Sequence, residues 1–154
     1  DGALYRAKKN GKNQIIAVCF HCQSLIAQRF KVDYGSGFFK SRAVAYQIIV
    51  LSDFPLGRKL EAFGLAGLWD YARSSEESGY LKPAPEPFLD LVRAFGVPPS
   101  EVLYVGNNYA YDVEGARKQG LATAHLTGRP KKNSVADFSF RDYRALKDWI
   151  FSSG

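Results

Sequence analysis

Three short segments of the sequence carry polar side chains of the types that bind phosphate or a metal ion. Ser52 and Asp53 directly follow an apolar run, where a hydroxyl and the amides that begin a helix could donate to phosphate oxygens. Lys82 lies between a glycine and a proline-rich stretch, and its positive charge suits a phosphoryl group. Asn107 and Asp112 lie five residues apart across a turn, and both offer oxygen atoms that could ligate a metal ion. Each segment alone is weak evidence, because a serine at a helix start is usually only a cap.

The pattern of apolar runs, prolines and glycines indicates which elements carry these residues. Short apolar runs predict strands at 14–20, 47–51, 71–74, 102–105 and 121–126. Helices are predicted at 2–10, 56–63, 86–95, 111–119 and 143–151, with a further helix open at 21–30 and a loop at 31–37. Strands that alternate with helices predict an α/β fold whose parallel sheet is covered on both faces. Ligands of such sheets bind at the carboxyl ends of the strands, where the three segments lie.

In this order and spacing, the segments resemble motifs II, III and IV of the haloacid dehalogenase (HAD)-like hydrolase superfamily. The matching stretches are LSDFP from Leu51, KPAPEPF from Lys82, and VGNNYAYDVEGA from Val105. The resemblance covers residues 47–128 and could extend over 14–150. It implies a three-layer, Rossmann-like core with a mostly parallel sheet.

The resemblance also implies phosphomonoester hydrolysis assisted by Mg²⁺. In the family, one aspartate after the first strand attacks the phosphoryl group, and a second aspartate two residues later acts as general acid and base. Ser52 and Lys82 match the positions that hold the transferred group, next to Asp53. Asp112 and Asn107 match the positions that hold Mg²⁺. The implied ligand is a small phosphorylated molecule.

The sequence departs from the family pattern at the positions that carry the chemistry. If the first strand is 14–20, Phe20 occupies the nucleophile position and Cys22 the acid/base position. Asn107 stands at the first acidic position of motif IV, which leaves Asp112 as its carboxylate. Asp33 is a poor substitute, because it lies in a glycine-rich stretch without a second acid two residues on. We therefore predict a phosphatase-family domain that is impaired or inactive. The alternative is a non-catalytic module that binds an anion or a partner.

The front of the chain differs from a complete family member in two further ways. About thirty residues separate Phe20 from Ser52, too few for an inserted cap domain, so we expect a core without a cap. Residues 1–17 include the stretch ALYRAKKNGKN from Ala3. This stretch resembles the last helix and turn of GGDEF-type diguanylate cyclase domains, which a strand follows, but it includes none of that family's nucleotide-binding or metal-binding residues. This resemblance implies a junction, with a GGDEF-like tail at 1–17 attached to a HAD-like core at 18–154. An ordinary capped helix is the alternative.

Two other kinds of site deserve comparison at the end of the first strand. Cys19 and Cys22 have the spacing of a thiol redox pair, although the elements that follow are not those of thioredoxin. His21, Cys22 and Arg29 are one residue too widely spaced for a cysteine-phosphatase loop. A zinc site would need His125, which is distant in sequence. Two buried thiols are the simpler interpretation.

Composition limits the remaining classes of function. The 154 residues are 46% hydrophobic and 23% charged, enough for one globular core. The net charge of +6 is mostly scattered and is not interleaved with base-stacking aromatic residues, so we expect no nucleic-acid partner. No apolar run is long enough to cross a bilayer, and two cysteines suggest a reducing, cytoplasmic location. A chain that opens with Asp1 and has no methionine is expected to be part of a longer one.

Overall fold

The computed structural model describes residues 14–19, 46–62, 64, 66, 67 and 69–152. Three candidate site residues, Phe20, Cys22 and Asp33, lie outside these ranges, as does the GGDEF-like opening at 1–13. The predicted helices at 2–10 and 21–30 and the loop at 31–37 lie outside them as well. All of these remain predictions.

Among the described residues, six strands form one sheet in the order β3-β2-β1-β4-β5-β6, and every neighbouring pair is parallel. The strands are β1 (Gln14–Cys19), β2 (Tyr46–Ser52), β3 (Tyr71–Ser74), β4 (Val102–Gly106), β5 (Ala122–Leu126) and β6 (Phe138–Phe140). The order runs outward from β1 in both directions. The crevice of an open parallel sheet forms at such a point, here between β1 and β4.

Four α-helices connect or follow these strands. They are α1 (Gly57–Ala62), α2 (Pro85–Phe95), α3 (Gly115–Lys118) and α4 (Tyr143–Ser152), and a π-helical segment (Tyr109–Glu114) leads directly into α3. The bounds of α2 follow from its sequence: Pro85 fits the first turn, where no amide donor is needed. Gly96 ends the helix in the left-handed region at φ 60°, and its amide donates to the carbonyls of Val92 and Arg93.

Apolar side chains cover both faces of the sheet. On one face, Leu91 of α2 and Ala116 of α3 form a buried cluster with Tyr104 of β4. On the other face, Ile150 of α4 belongs to a cluster with Leu103 of β4. Tyr104 and Leu103 are neighbours whose side chains point to opposite faces, as strand geometry requires. The predicted three-layer α/β fold is therefore confirmed.

The structure differs from the sequence prediction at β6, at the start of the helix predicted at 111–119, and at two short 3-10 helices that were not predicted, Ser75–Ser78 and Pro99–Glu101. The strand β6 was not predicted, because a run of three residues carries no readable alternation. The helix predicted at 111–119 begins two residues earlier, and its first part is π-helical. The other described elements agree with the prediction to within one or two residues.

Two remaining predictions concern the chain as a whole. The predicted boundary between residues 17 and 18 falls within β1, and the division into a GGDEF-like tail and a HAD-like core stays a prediction. In the described part of the chain, no helix has the length and apolar character needed to cross a membrane.

Candidate functional site

The carboxyl ends of β1, β2 and β4 lie side by side at one edge of the sheet. Cys19 pairs with Leu51 of β2, and its neighbour Val18 pairs with Val105 of β4. Ser52 at the end of β2 and Gly106 at the end of β4 therefore lie on either side of the end of β1. This edge is the position that the sequence indicated for ligand binding.

Lys82 is enclosed at this edge by two carboxylates. Its side chain is 0% exposed, and its Nζ lies 2.7 Å from Oδ1 of Asp112 and 3.7 Å from Oδ2 of Asp53. The ring of Tyr104 lies 5.8 Å from the same nitrogen. A buried ammonium needs such partners, because removing an unpaired charge from water is costly. One positive and two negative charges give this cluster a formal charge of −1.

Asp53 contacts Lys82 twice, through the side chain and through the backbone. The Lys82 amide donates to Oδ1 of Asp53 over 3.2 Å, a bond that joins residues 29 apart in sequence. Asp53 therefore fixes both the ammonium and the start of the turn that carries it. A phosphate-binding role for its own amide stays a prediction.

Ser52 is fully buried, and among the described residues its hydroxyl acts only as a hydrogen-bond acceptor. Its Oγ accepts a hydrogen bond from the Phe54 amide over 3.2 Å. A hydroxyl also has one proton to donate, and the described residues provide no acceptor for it. A buried donor next to the residue that holds Lys82 is suited to an anionic oxygen.

Asp112 is held in place by the junction between β4 and the π-helical segment. Its Oδ1 contacts Lys82, and its Oδ2 accepts from the Asn108 amide over 3.0 Å. A Cβ at Gly106 would lie only 2.3 Å from the Cβ of Asp112, so this approach requires glycine. The Asn108 side chain caps the segment by accepting from the Tyr111 amide over 3.1 Å.

Asn107 lies beside these residues, with an exposed side chain. Its carbonyl oxygen is 3.3 Å from Nε2 of His125. A carbonyl can only accept, so Nε2 carries the proton and Nδ1 is the unprotonated nitrogen. The structure thus brings four of the five described candidates, Ser52, Asp53, Lys82 and Asp112, into one cluster, with Asn107 at its border.

The described residues do not by themselves form a Mg²⁺ site. No group of three or more His, Cys, Asp or Glu side chains among them is arranged to hold a metal ion. Asp112 offers one carboxylate that already contacts an ammonium, and Asn107 offers an uncharged amide oxygen. A divalent ion at this position would meet little negative charge that Lys82 does not offset. Mg²⁺ therefore stays a prediction from the resemblance.

Sequence reasoning missed a cluster next to Asn107. His125 of β5 is 5% exposed, and its Nδ1 has no hydrogen-bond partner among the described residues. Burial lowers the pKa of His125 below its usual 6.5, against the opposing effects of its bond to Asn107 and of Asp112. The ring of Tyr109 meets this imidazole edge to face at 5.3 Å.

Lys131 completes this cluster from the loop between β5 and β6. Its Nζ lies 3.7 Å from the centre of the Tyr109 ring, and the Tyr109 hydroxyl accepts from the Val135 amide over 2.8 Å. A histidine within an apolar strand was the available sequence signal, but its register with Gly106 is seen only in the structure.

Comparisons with known proteins indicate the family of this chain. Residues 38–120 match the family model described as haloacid dehalogenase-like hydrolase. Glyceraldehyde 3-phosphate phosphatase of Methanopyrus kandleri is 35% identical over 99 residues, which cover 60% of this chain and 42% of that protein. Human haloacid dehalogenase-like hydrolase domain-containing protein 3 is 31% identical over 91 residues, 56% of this chain and 36% of that protein. The chain thus spans only about two fifths of the length of these relatives.

Solved structures show the same fold. A HAD phosphatase from Thermococcus onnurineus matches with a TM-score of 0.63 and 23% identity, covering 85% of this chain and 58% of that one. A 2-haloacid dehalogenase from Pseudomonas syringae matches with a TM-score of 0.64 and 21% identity, covering 77% of this chain and 53% of that one. Together with the family match over more than half of its residues, this shows that the chain belongs to the haloacid dehalogenase-like hydrolase family.

Proposed function

We propose that this domain binds the phosphoryl group of a small phosphorylated molecule at the carboxyl edge of its sheet and hydrolyses it slowly or not at all. The phosphate would contact the Ser52 hydroxyl and lie within the field of Lys82. Phosphomonoester hydrolysis is the family chemistry. The residues that carry it out in this family are replaced here at three positions.

The observation that carries the binding half of the proposal is the arrangement of Ser52 and Lys82. The hydroxyl proton of buried Ser52 has no described acceptor, and the adjacent Asp53 holds Lys82 through two contacts. Donors fixed in a buried environment bind an anion without further ordering, which favours affinity. Relatives named as phosphatases, such as the one from Methanopyrus kandleri, support a phosphorylated ligand.

Impaired hydrolysis follows from the residue types at the reacting positions. Phenylalanine at position 20 has no nucleophilic atom, and Cys22 replaces the carboxyl group that would transfer protons. Asn107 removes one negative charge where the family holds a metal ion. Binding groups can persist after such changes, because they depend on different residues.

Calorimetric titration with inorganic phosphate tests the binding half. We expect Ser52→Ala to weaken phosphate binding about tenfold, the usual effect of losing a hydrogen bond to a charged group. Ser100→Ala is the matched control, because Ser100 directly precedes β4 and so lies at the amino ends of the strands, away from the proposed site. Equal affinities for wild type and Ser52→Ala would remove Ser52 from the site. A wild type that binds no phosphate, with or without Mg²⁺, would refute the proposal.

Turnover of p-nitrophenyl phosphate with Mg²⁺ tests the catalytic half. We expect negligible turnover by wild type and by Phe20→Asn. Phe20→Asp, alone or with Asn107→Asp, should gain activity, because it restores a carboxylate nucleophile. Asn and Asp have nearly the same shape, so the comparison isolates the nucleophile. Wild-type turnover that Lys82→Ala abolishes and Cys22→Ala preserves would show an active phosphatase instead.

A further inference from the structure

The loop between β5 and β6 carries positively charged residues that have no role in the phosphate site proposed above. Arg129, Lys131 and Lys132 lie within four residues, and no acidic residue occurs from 127 to 136. None of the three cations forms an ion pair with a carboxylate of the described residues. Three other arginines, Arg73, Arg93 and Arg117, each pair with an aspartate.

Tyr109 fastens this loop to the π-helical segment. The ammonium of Lys131 lies 3.7 Å from the centre of the Tyr109 ring, a distance typical of a cation–π contact. The Val135 amide donates to the hydroxyl of the same tyrosine over 2.8 Å. The ammonium has three N–H donors, and the ring contact occupies only one side of it, so the remaining donors are open to solvent. Lys131 is therefore an exposed cation held in a defined place.

That place adjoins the phosphate site. Strands β4 and β5 are parallel neighbours, so the loop that follows β5 leaves the sheet at the same edge as Asn107. His125 links the two, since its Nε2 donates to the Asn107 carbonyl and its ring contacts Tyr109. The charge of Asp112 raises the pKa of His125 and that of Lys131 lowers it, so both charged groups lie near this imidazole.

Positive charge at this edge lies mainly outside the buried cluster, on the side of the loop after β5. The cluster of Lys82, Asp53 and Asp112 has a formal charge of −1, so a phosphate dianion there needs positive charge nearby. Asn107 contributes none of the negative charge that a divalent cation would require. Lys131, with Arg129 beside it in sequence, contributes positive charge on that side.

We propose that Lys131 contacts a second anionic group of the ligand, so that the site prefers phosphorylated molecules that also carry a carboxylate or another phosphate. This inference rests on the proposed phosphate site. The phosphoryl group would lie at Ser52, and the second anion would lie near Asn107, under the Lys131 ammonium.

Two probes that differ only in the second charge test this preference. 3-Phosphoglycerate carries a carboxylate where glycerol 3-phosphate carries a hydroxymethyl group. We expect wild type to bind 3-phosphoglycerate about fivefold more tightly, the upper end of the range for an exposed ion pair. Lys131→Gln should reduce this ratio to about one by weakening 3-phosphoglycerate alone. Lys132→Gln is the matched control, and it should keep most of the ratio.

The outcomes separate the two proposals. If neither probe binds, the phosphate site itself is wrong. If both bind wild type equally, the phosphate site stands and the role of Lys131 is refuted. A ratio that survives Lys131→Gln but not Lys132→Gln would also overturn the assignment. The preference should shrink between 50 and 500 mM salt, because exposed charges are screened; a ratio insensitive to salt would contradict an ionic contact.

Discussion

At the scale of single residues, Lys82 organises the site through its burial. An ammonium with no exposed surface needs oppositely charged partners, and here two aspartates lie beside it. The nearer contact, 2.7 Å to Asp112, joins the π-helical segment to the proline-rich turn before α2. The contacts that hold Lys82 at the proposed phosphate site therefore also stabilise the fold.

Lys82→Met should lower the free energy of unfolding by about 3–5 kcal/mol, because it leaves two buried carboxylates without their cation. Urea unfolding followed by circular dichroism measures the change. Adding Asp112→Asn to this variant should restore part of the loss, since the amide keeps the Asn108 bond and removes a buried charge. A cost below about 1 kcal/mol for the single variant would mean that Lys82 is not buried with its partners.

His125 is a further buried titratable residue at this edge, and its environment favours the neutral form. Burial is the main cause of its lowered pKa. A proton added at Nδ1 would be a buried donor without an acceptor among the described residues. The unfolded chain binds that proton more readily than the folded one.

Stability should therefore rise with pH across the interval from the folded pKa of His125 up to 6.5, its value in the unfolded chain. Below this interval both states are protonated and the contribution is lost; above it both are neutral and the contribution is complete. Urea midpoints at pH 5, 6 and 7.5 for wild type and His125→Phe measure it. The difference between the two proteins should change in favour of wild type as pH rises. A constant difference would contradict the assignment.

At the scale of elements, the junction of β4 with the π-helical segment determines where Asp112 lies. The segment begins after the Asn108 cap and turns the chain so that Asp112 returns over the end of β4. π-Helical turns are rare and often occur at functional sites. Gly106 is the point at which strand and side chain come closest.

Gly106→Ala should displace Asp112, because the added methyl carbon would lie 2.3 Å from the Asp112 Cβ. We expect a loss of about 1–3 kcal/mol in the free energy of unfolding, together with weaker phosphate binding because Lys82 would no longer be held in its position. Chemical denaturation and phosphate titration measure the two effects. Gly57→Ala is the control, since a Cβ at Gly57 meets nothing within 4 Å. Unchanged phosphate affinity would separate the position of Asp112 from binding.

Local sequence signals were sufficient for elements but not for contacts between them. Pro85 and Gly96 mark the start and the end of α2 in both the sequence and the structure, because each acts on the backbone at its own position. The bond from the Lys82 amide to Asp53 joins residues 29 apart, and neither residue carries a local sign of the other. His125 likewise has no motif, and its contact with Asn107 depends on the pairing of β5 with β4.

At the scale of the whole molecule, alternation of strands and helices was sufficient to predict a parallel sheet with two covered faces. The position of the site at the carboxyl edge then follows from the general geometry of such sheets. The central place of β1 could not be read from its sequence, since strand order depends on the packing of every crossover. That order brings Ser52 of β2 and Gly106 of β4 to either side of the end of β1.

Both apolar clusters pack against the same sheet, so we expect its two faces to unfold together. Leu91→Ala removes a buried side chain from the face covered by α2, and Leu146→Ala removes one from the face covered by α4. Each should cost about 2–5 kcal/mol.

Trp149 packs beside the second cluster, so tryptophan fluorescence reports mainly on that face, whereas far-ultraviolet circular dichroism reports on the whole backbone. Both probes should give the same urea midpoint in both variants, because loss of either layer exposes strands that the layers share. A Leu91→Ala protein whose fluorescence midpoint stays at the wild-type value while its dichroism midpoint falls would show that the two faces are independent.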